Sequence, residues 1–453
     1  MTTATGSHDY LRQRALGARQ AALQLATSDG GARDAALQAI LKALDSERER
    51  ILAANAADVE AGKALVEQGE LGEPLLKRLE LREGKYQATR EMVRSVIAQP
   101  DPLWSTLKAT KLDEGLNLYR VSVPIGVIGV IFESRPDALV QIAALCLKSG
   151  NAVLLKGGSE AANSNAVLAE VIEMATASVE GIPDGWITLM ESREDVKGML
   201  CQEDAIDLII PRGSPEFAGY IMANTNIPVT GHTDGICHVF VDAAADLDKA
   251  VRITVDSKIS GVATCCASET LLVHGEIARP FFERVIGDLE AHNVLIRGDE
   301  RTLELAGDLG ALTPVSEQDW STEYLDYILS VKIVDGAEEA IDHINHYSSH
   351  HTDSIVTEDK TTAKRFLLAI DSASVFHNAS TRLADGFKFG LGAEVGISTG
   401  RLHSRGPVGL EGLTCYKYVL EGSGQTATDF DGEPSRPFLH RSLDAIWSMQ
   451  ANG

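Results

Sequence analysis

The residues with the clearest chemical potential are two adjacent thiols, Cys265 and Cys266, inside Ser260–Thr270 (SGVATCCASET). Their neighbours are Gly, Val, Ala, Thr and Ser, so a substrate carbonyl could approach a sulfur. Thiolate is the attacking form, and a nearby cation or a nest of backbone N–H groups lowers a thiol's pKa. Small buried cysteines are also ordinary core fillers, and spacing alone favours that reading. Vicinal cysteines bridge only with strain, so a redox pair is not expected. Lys156 closes the apolar run Ala152–Lys156 and precedes Gly157 and Gly158. It could meet a nucleotide's ribose or phosphate, or be a solvated strand end. Arg135 follows a second apolar run, Gly126–Phe132, and its planar fork suits a carboxylate or phosphate. In Ile210–Glu216 (IPRGSPE), Gly213 and Ser214 are small enough to let phosphate reach the first turn of a helix. No G-x-G-x-x-G accompanies these strands, so any nucleotide must bind without the usual fingerprint.

Gly231–His238 (GHTDGICH) contains two His and a Cys, but the spacing fits no structural zinc pattern, and no metal is expected. His346, His350 and His351 cluster at a helix end and loop, where solvated imidazoles are expected. Asn378–Gly386 and Phe389–Glu394 are too polar and Gly-rich for a core. They form a surface loop or a shaped pocket.

These residues need elements to hold them. Leu, Ile, Ala and Val recur three and four apart through residues 11–100, which predicts a helical block ended by Pro100 and Pro102. The alternation around Asp113, Glu114 and Gly115 predicts a hairpin over 111–124. From Pro124 onward, short apolar runs alternate with helical stretches, which predicts βαβ units and parallel sheets. A second α/β unit follows residue 229. Ligands in such sheets bind at the carboxyl ends of strands, which singles out the positions after Phe132, Leu155 and Ile210.

The whole chain sets the setting. Its 453 residues carry 41 Lys plus Arg against 65 Asp plus Glu, a net charge of -24. Such a balance opposes binding to nucleic acid or to anionic membranes, and an anionic ligand would need a local basic pocket. Six Cys in a chain this long argue for a reducing compartment. No apolar run reaches membrane-spanning length. The first residues lack a secretory pattern and read as the first helix of a cytoplasmic protein. Residues 422–437 read as an extended arm.

Together these segments resemble the aldehyde dehydrogenase superfamily and, within it, the γ-glutamyl phosphate reductases. The match rests on Val123–Leu139 (VPIGVIGVIFESRPDAL), Leu147–Ala161 (LKSGNAVLLKGGSEA), Ile210–Pro215, Gly231–Ala243, Thr264–His274 (TCCASETLLVH) and His377–Cys415. The resemblance implies two α/β domains with parallel sheets and a small β-hairpin oligomerisation flap. The nucleotide-binding domain would span 1–110 and 125–231, with a five-stranded sheet. The catalytic domain would span 232–405, the flap 111–124 and 410–430, and a tail 431–453. It implies Cys265 as nucleophile, with Cys266 where Asn is usual. It places Lys156, Gly213, Ser214 and Glu323 on the cofactor, NADPH. Arg135 and the loop of Asn378, Ser380, Thr381 and Arg382 are the expected holders of substrate anions. The implied substrate is L-glutamyl 5-phosphate. A homodimer or larger homo-oligomer is expected, and an upstream glutamate 5-kinase is a candidate partner. The hydrolytic base of oxidising relatives falls on Thr230, so it is missing. The alternatives are a hydrolytic NAD(P)-dependent aldehyde dehydrogenase and a noncatalytic relative.

Overall fold

A computed structural model describes residues 3–448 except 134, 191 and 192. The predicted helical block is present as Thr3–Leu25, Gly30–Ser46, Arg48–Glu67, Glu73–Leu79 and Glu83–Ala98. Its apolar stripe does not form a bundle of its own. Leu37, Ile40, Leu44, Val93 and Val96 share one core with the strands that follow Pro124.

Those strands make a parallel sheet in the spatial order Ile187–Met190, Ala152–Gly157, Val127–Phe132, Leu208–Arg212. Every residue of Val127–Phe132 and Ala152–Gly157 is buried, as expected for central parallel strands covered on both faces. Four strands are present where the resemblance implied five. The place of the fifth is marked only by a parallel bridge between Ile209 and Val229. From Val127–Phe132 the chain winds to one side, then returns to the other at Leu208–Arg212. That reversal opens a crevice at the carboxyl ends of these two strands, beside Arg135, Gly213 and Ser214.

The second α/β unit is a seven-stranded parallel sheet. Its order is Leu312–Pro314, Leu295–Gly298, Ile328–Val334, Ser268–His274, Cys237–Val241, Thr352–Val356, Ser374–His377. Phe281, Phe282 and Val285 pack on one face of it and Ile341, Ile344 and Phe366 on the other.

The predicted hairpin is longer than 111–124. Thr106–Asp113 pairs with Leu116–Pro124, and Thr414–Glu421 extends the antiparallel sheet on the far side. The tail is not a loose arm. Arg441 and Ser442 pair with Lys111 and Thr110, and Trp447 lies against Trp104 with ring centroids 5.5 Å apart. Among the described residues no helix is long and apolar enough to cross a membrane.

Candidate active site

Cys265 lies on the loop that joins helix Leu247–Ile259 to strand Ser268–His274, on the amino edge of the seven-stranded sheet. The loop is held tightly. Thr264 Oγ1 donates to the Gly261 carbonyl at 2.6 Å and Ala267 N–H to the Thr264 carbonyl at 2.8 Å. Cys237 Sγ donates to the Cys265 carbonyl at 3.2 Å. Arg78, from the distant helix Glu73–Leu79, donates to the Ala263 carbonyl at 2.6 Å. The two thiols part ways here. Cys265 remains partly exposed, while Cys266 is buried and takes the Arg382 guanidinium on its sulfur. The open sulfur is therefore Cys265.

Gly235 explains the closeness of the site. A Cβ there would stand 2.5 Å from the Cys265 Cα and 2.6 Å from a Glu323 carboxylate oxygen, and would overlap the Cys265 carbonyl. Only a bare backbone lets these two residues approach so nearly. Burial first, then the charge of Asp234, raises Glu323 to about 7; the Gly235 N–H and Arg78 oppose the rise. Glu394 is also raised to about 7, by burial and Asp385, against Arg212. Burial, Cys266 and these two carboxylates push the Cys265 thiol well up, with Arg382 pulling the other way. The resting sulfur therefore holds its proton at neutral pH, chiefly because burial disfavours the thiolate, with Cys266 and the two carboxylates adding to the rise.

Cations crowd the other side. Burial and then the charge of Arg135 lower both Arg78 and Arg212, the latter to about 10, and both feel the Cys265 sulfur. Arg135 makes one ion pair, to Asp137 at 3.2 Å. Arg212 makes none within 4 Å among the described residues, and its guanidinium meets Gln141 at 3.5 Å. Arg135 is near enough to lower both Arg78 and Arg212, so the three guanidinium groups concentrate positive charge that suits an anion.

The crevice of the four-stranded sheet presents its own anion site. Ser214 caps helix Pro215–Ala223 by accepting the Phe217 N–H at 3.3 Å. The Glu133 carboxylate accepts the Ser214 N–H and lies 2.8 Å from where a Gly213 Cβ would stand. A carboxylate already occupies the helix start, where free N–H groups favour an anion. Lys156 is buried at its strand end with its ammonium on the Gly157 carbonyl.

The four loop residues expected, with Arg135, to meet substrate anions do not act alike. Asn378 spends its carboxamide on Thr357, accepting from the N–H and donating to the carbonyl, both at 3.0 Å. Ser380 caps the turn before Arg382 and contacts Ser257 Oγ at 3.2 Å. Thr381 is fully buried. Arg382 alone reaches the Cys265 loop, donating to the Ser260 carbonyl at 2.6 Å.

Residues 2–327 match the aldehyde dehydrogenase family. A γ-glutamyl phosphate reductase from Natronomonas pharaonis is 55% identical over 95% of this chain and 97% of its own length. One from Haloquadratum walsbyi is 52% identical over 96% and 95%. The crystal structure of the Thermotoga maritima γ-glutamyl phosphate reductase superposes with a TM-score of 0.87. It is 40% identical and covers 92% of this chain and 99% of that one. The chain belongs to the γ-glutamyl phosphate reductase family. It therefore has the aldehyde dehydrogenase fold, with mixed α/β layers and parallel sheets.

Several residues of this reductase site escaped the sequence reading. Arg78 sits in the helical block, whose periodicity speaks only of packing. Arg212 was passed over inside the Gly213–Ser214 motif. His351, expected to be solvated, is fully buried, because it leads directly into Thr352–Val356, a strand flanked on both sides. It stacks edge to face on His232 with ring centroids 5.0 Å apart. The signal that could have found Arg78 and Arg212 is the need of a chain this acidic for a concentrated patch of cations.

Proposed function

We propose that the chain reduces L-glutamyl 5-phosphate to L-glutamate 5-semialdehyde and inorganic phosphate, the second step of proline biosynthesis from glutamate, through a thioester on Cys265. The observation that carries the reading is the partly exposed Cys265 with Arg78, Arg212 and Arg382 near it and Arg135 beside the first two, in a fold shared with relatives named for this reaction.

Arg78, Arg135 and Arg212 draw in the acyl phosphate, whose charge offsets their mutual repulsion. Glu323, neighbour to Cys265 and poised at about 7, takes the thiol proton as the sulfur attacks the acyl carbon. The S–C bond forms, the bond from carbon to the phosphate oxygen breaks, and inorganic phosphate leaves. Phosphate departs readily, so no strong general acid is required. Backbone N–H groups of the Cys265 loop face the developing oxyanion. Lys156, Gly213 and Ser214 would hold the dinucleotide, with Glu323 beside its nicotinamide end. NADPH, when bound, supplies the hydride that converts the thioester to the aldehyde. Thr230, buried where hydrolytic relatives carry their base, offers no carboxylate to activate water, so the thioester persists until it is reduced.

Six free cysteines and the absence of a candidate spanning helix among the described residues support a cytoplasmic setting. The edge strand Thr414–Glu421 exposes Tyr416, Tyr418 and Leu420, which supports a homo-oligomer built through this sheet. The labile acyl phosphate supports hand-over from a glutamate 5-kinase.

The test is oxidation of the semialdehyde with and without phosphate, followed by nicotinamide absorbance. Turnover should require phosphate and prefer NADP+ over NAD+. Cys265→Ser should lower it by at least about 1,000-fold with unchanged circular dichroism. Equal turnover without phosphate would point instead to a hydrolytic aldehyde dehydrogenase.

A further inference from the structure

Three separated segments meet at the nucleophile. They are the turn of Gly231 to Gly235, the Cys265 loop, and the entry to strand Thr352–Val356. One ligand atom from each of His232, Cys265 and His351 lies within 4.8 Å of the other two. In both imidazoles Nδ1 has a partner outside the cluster, which leaves Nε2 to face it. His232 Nδ1 stands 2.7 Å from the Ile397 carbonyl, which keeps the proton on that nitrogen and leaves Nε2 with its lone pair. His351 Nδ1 stands 2.8 Å from Thr352 Oγ1 and 3.7 Å from Cys237 Sγ. Its Nε2 is fully buried and has no hydrogen-bond partner among the described residues. A buried nitrogen without a partner calls for an explanation, and here it belongs to the cluster that contains the reactive sulfur.

From this geometry we infer that His232, Cys265 and His351 form a binding site for one soft divalent cation of the zinc class, whose occupancy blocks the thiol. The donor set is one sulfur and two imidazoles with no carboxylate, which selects Zn2+ or Co2+ over Mg2+ or Ca2+. Zinc bonds of about 2.0–2.1 Å to nitrogen and 2.3 Å to sulfur place tetrahedral donors about 3.3–3.6 Å apart. The donors, now within 4.8 Å of one another, must draw together to that size on binding. Three protein ligands leave a fourth position to water. The Ile397 carbonyl and Thr352 hydroxyl hold the outer nitrogens, as orienting partners do in zinc sites. On binding, the sulfur–metal bond forms as the thiol releases its proton to buffer, and nothing is oxidised or reduced. The blocking of turnover rests on Cys265 being the nucleophile; the binding does not.

Sequence spacing hides such a site, because each ligand comes from a different turn. These turns converge only when Cys237–Val241, Ser268–His274 and Thr352–Val356 lie side by side in the sheet.

The test is a titration of the chelator-treated full chain with Co2+, read by absorbance. One equivalent should produce the visible bands of a tetrahedral site and the near-ultraviolet band of a thiolate ligand. Zn2+ should abolish both, EDTA should reverse binding, and Mg2+ should have no effect. Zn2+ should inhibit turnover over the same concentration range. Cys265→Ser should lose the thiolate band, and the half-buried His232→Asn should weaken binding at least tenfold. His351→Gln should do the same where its circular dichroism matches the parent. A thiolate band that survives in Cys265→Ser, wild-type affinity in His232→Asn, or no stoichiometric Co2+ spectrum overturns the site. The spectrum needs no turnover, so an active Cys265→Ser would sink the nucleophile assignment and leave the metal site standing.

Discussion

Cys265 is surrounded by groups that keep its proton in place, and that shapes how it must react. Glu323 and Glu394 would repel a resting thiolate, while Arg382 favours one. The sulfur is best kept neutral until a bound anion draws the guanidinium groups into place and a carboxylate can accept the proton. Glu323 is the closer candidate, sharing the space at Gly235 with Cys265. Replacing it with Gln removes the acceptor and keeps the shape. Glu323→Gln should lower kcat by about 100-fold and should abolish a limb near pH 7 in the pH–rate profile. An unchanged profile would move the role to Glu394. At this scale the sequence was readable where chemistry needs small neighbours at a strand end. That pattern put Cys265, Lys156, Gly213 and Ser214 forward only as candidates, with a core-filling thiol favoured and a solvated strand-end Lys equally open, and their roles came from the family resemblance. Arg78 was not put forward at all, since its partner Ala263 lies far along the chain and helical periodicity carries no hint of it. Asn378 misled for a related reason. A polar side chain in a Gly-rich loop looks available for ligand, yet its left-handed φ of 55° and its bonds to Thr357 show that it is holding the turn.

Elements, rather than single residues, decide which edges face one another. The carboxyl ends of Val127–Phe132 and Leu208–Arg212 carry Arg135, Gly213 and Ser214, where the rule for open parallel sheets expects a ligand. The Cys265 loop instead lies at the amino edge of the seven-stranded sheet, which no rule about a single sheet foretells. Strand type and order of alternation were legible because buried parallel strands are continuous apolar runs. The tail was not. Its Gly, Ser, Asp and Pro read as an arm, and its place comes from contacts with the distant hairpin, among them the pairing of Arg441 and Ser442. Trp447 anchors that pairing through Trp104, and its N–H meets Thr106 Oγ1 at 2.8 Å. An aromatic pair of this kind contributes on the order of 1 kcal/mol beyond its buried area. Trp447→Ala should therefore loosen the tail without unfolding the core. Limited proteolysis should cut residues 425–448 at least several times faster than in the parent, while the temperature of global unfolding changes by no more than a few degrees. Cleavage at the parent's rate would mean that the tail is held by other contacts.

Over the whole molecule, the acidity that excludes nucleic acid also sets the pH at which the fold is most comfortable. The net charge of -24 is carried at the surface, whereas Glu323 and Glu394 are enclosed and titrate at about 7. In the unfolded chain each would titrate near 4.3. Between those values the folded state binds more protons than the unfolded state. Stability from these groups is therefore fully present below about pH 4.3 and is lost as pH rises through about 7. The sign is opposite to that of salt-bridged surface carboxylates such as Asp308, which Arg279 lowers and which favour the fold as pH rises. From roughly pH 5.5 to 8 the enclosed pair should remove on the order of 1–2 kcal/mol each, after allowance for solvent screening. Thermal or denaturant unfolding at several pH values measures this directly. The parent should lose stability toward pH 8. Glu323→Gln and Glu394→Gln should each flatten that loss, and the double variant should flatten it further, because a neutral amide carries no charge to bury. Parallel pH curves for parent and variants would show that both carboxylates ionise at no cost in the fold. Their values of about 7 would then be wrong, and with them the argument that Glu323 stands ready to take a proton at neutral pH.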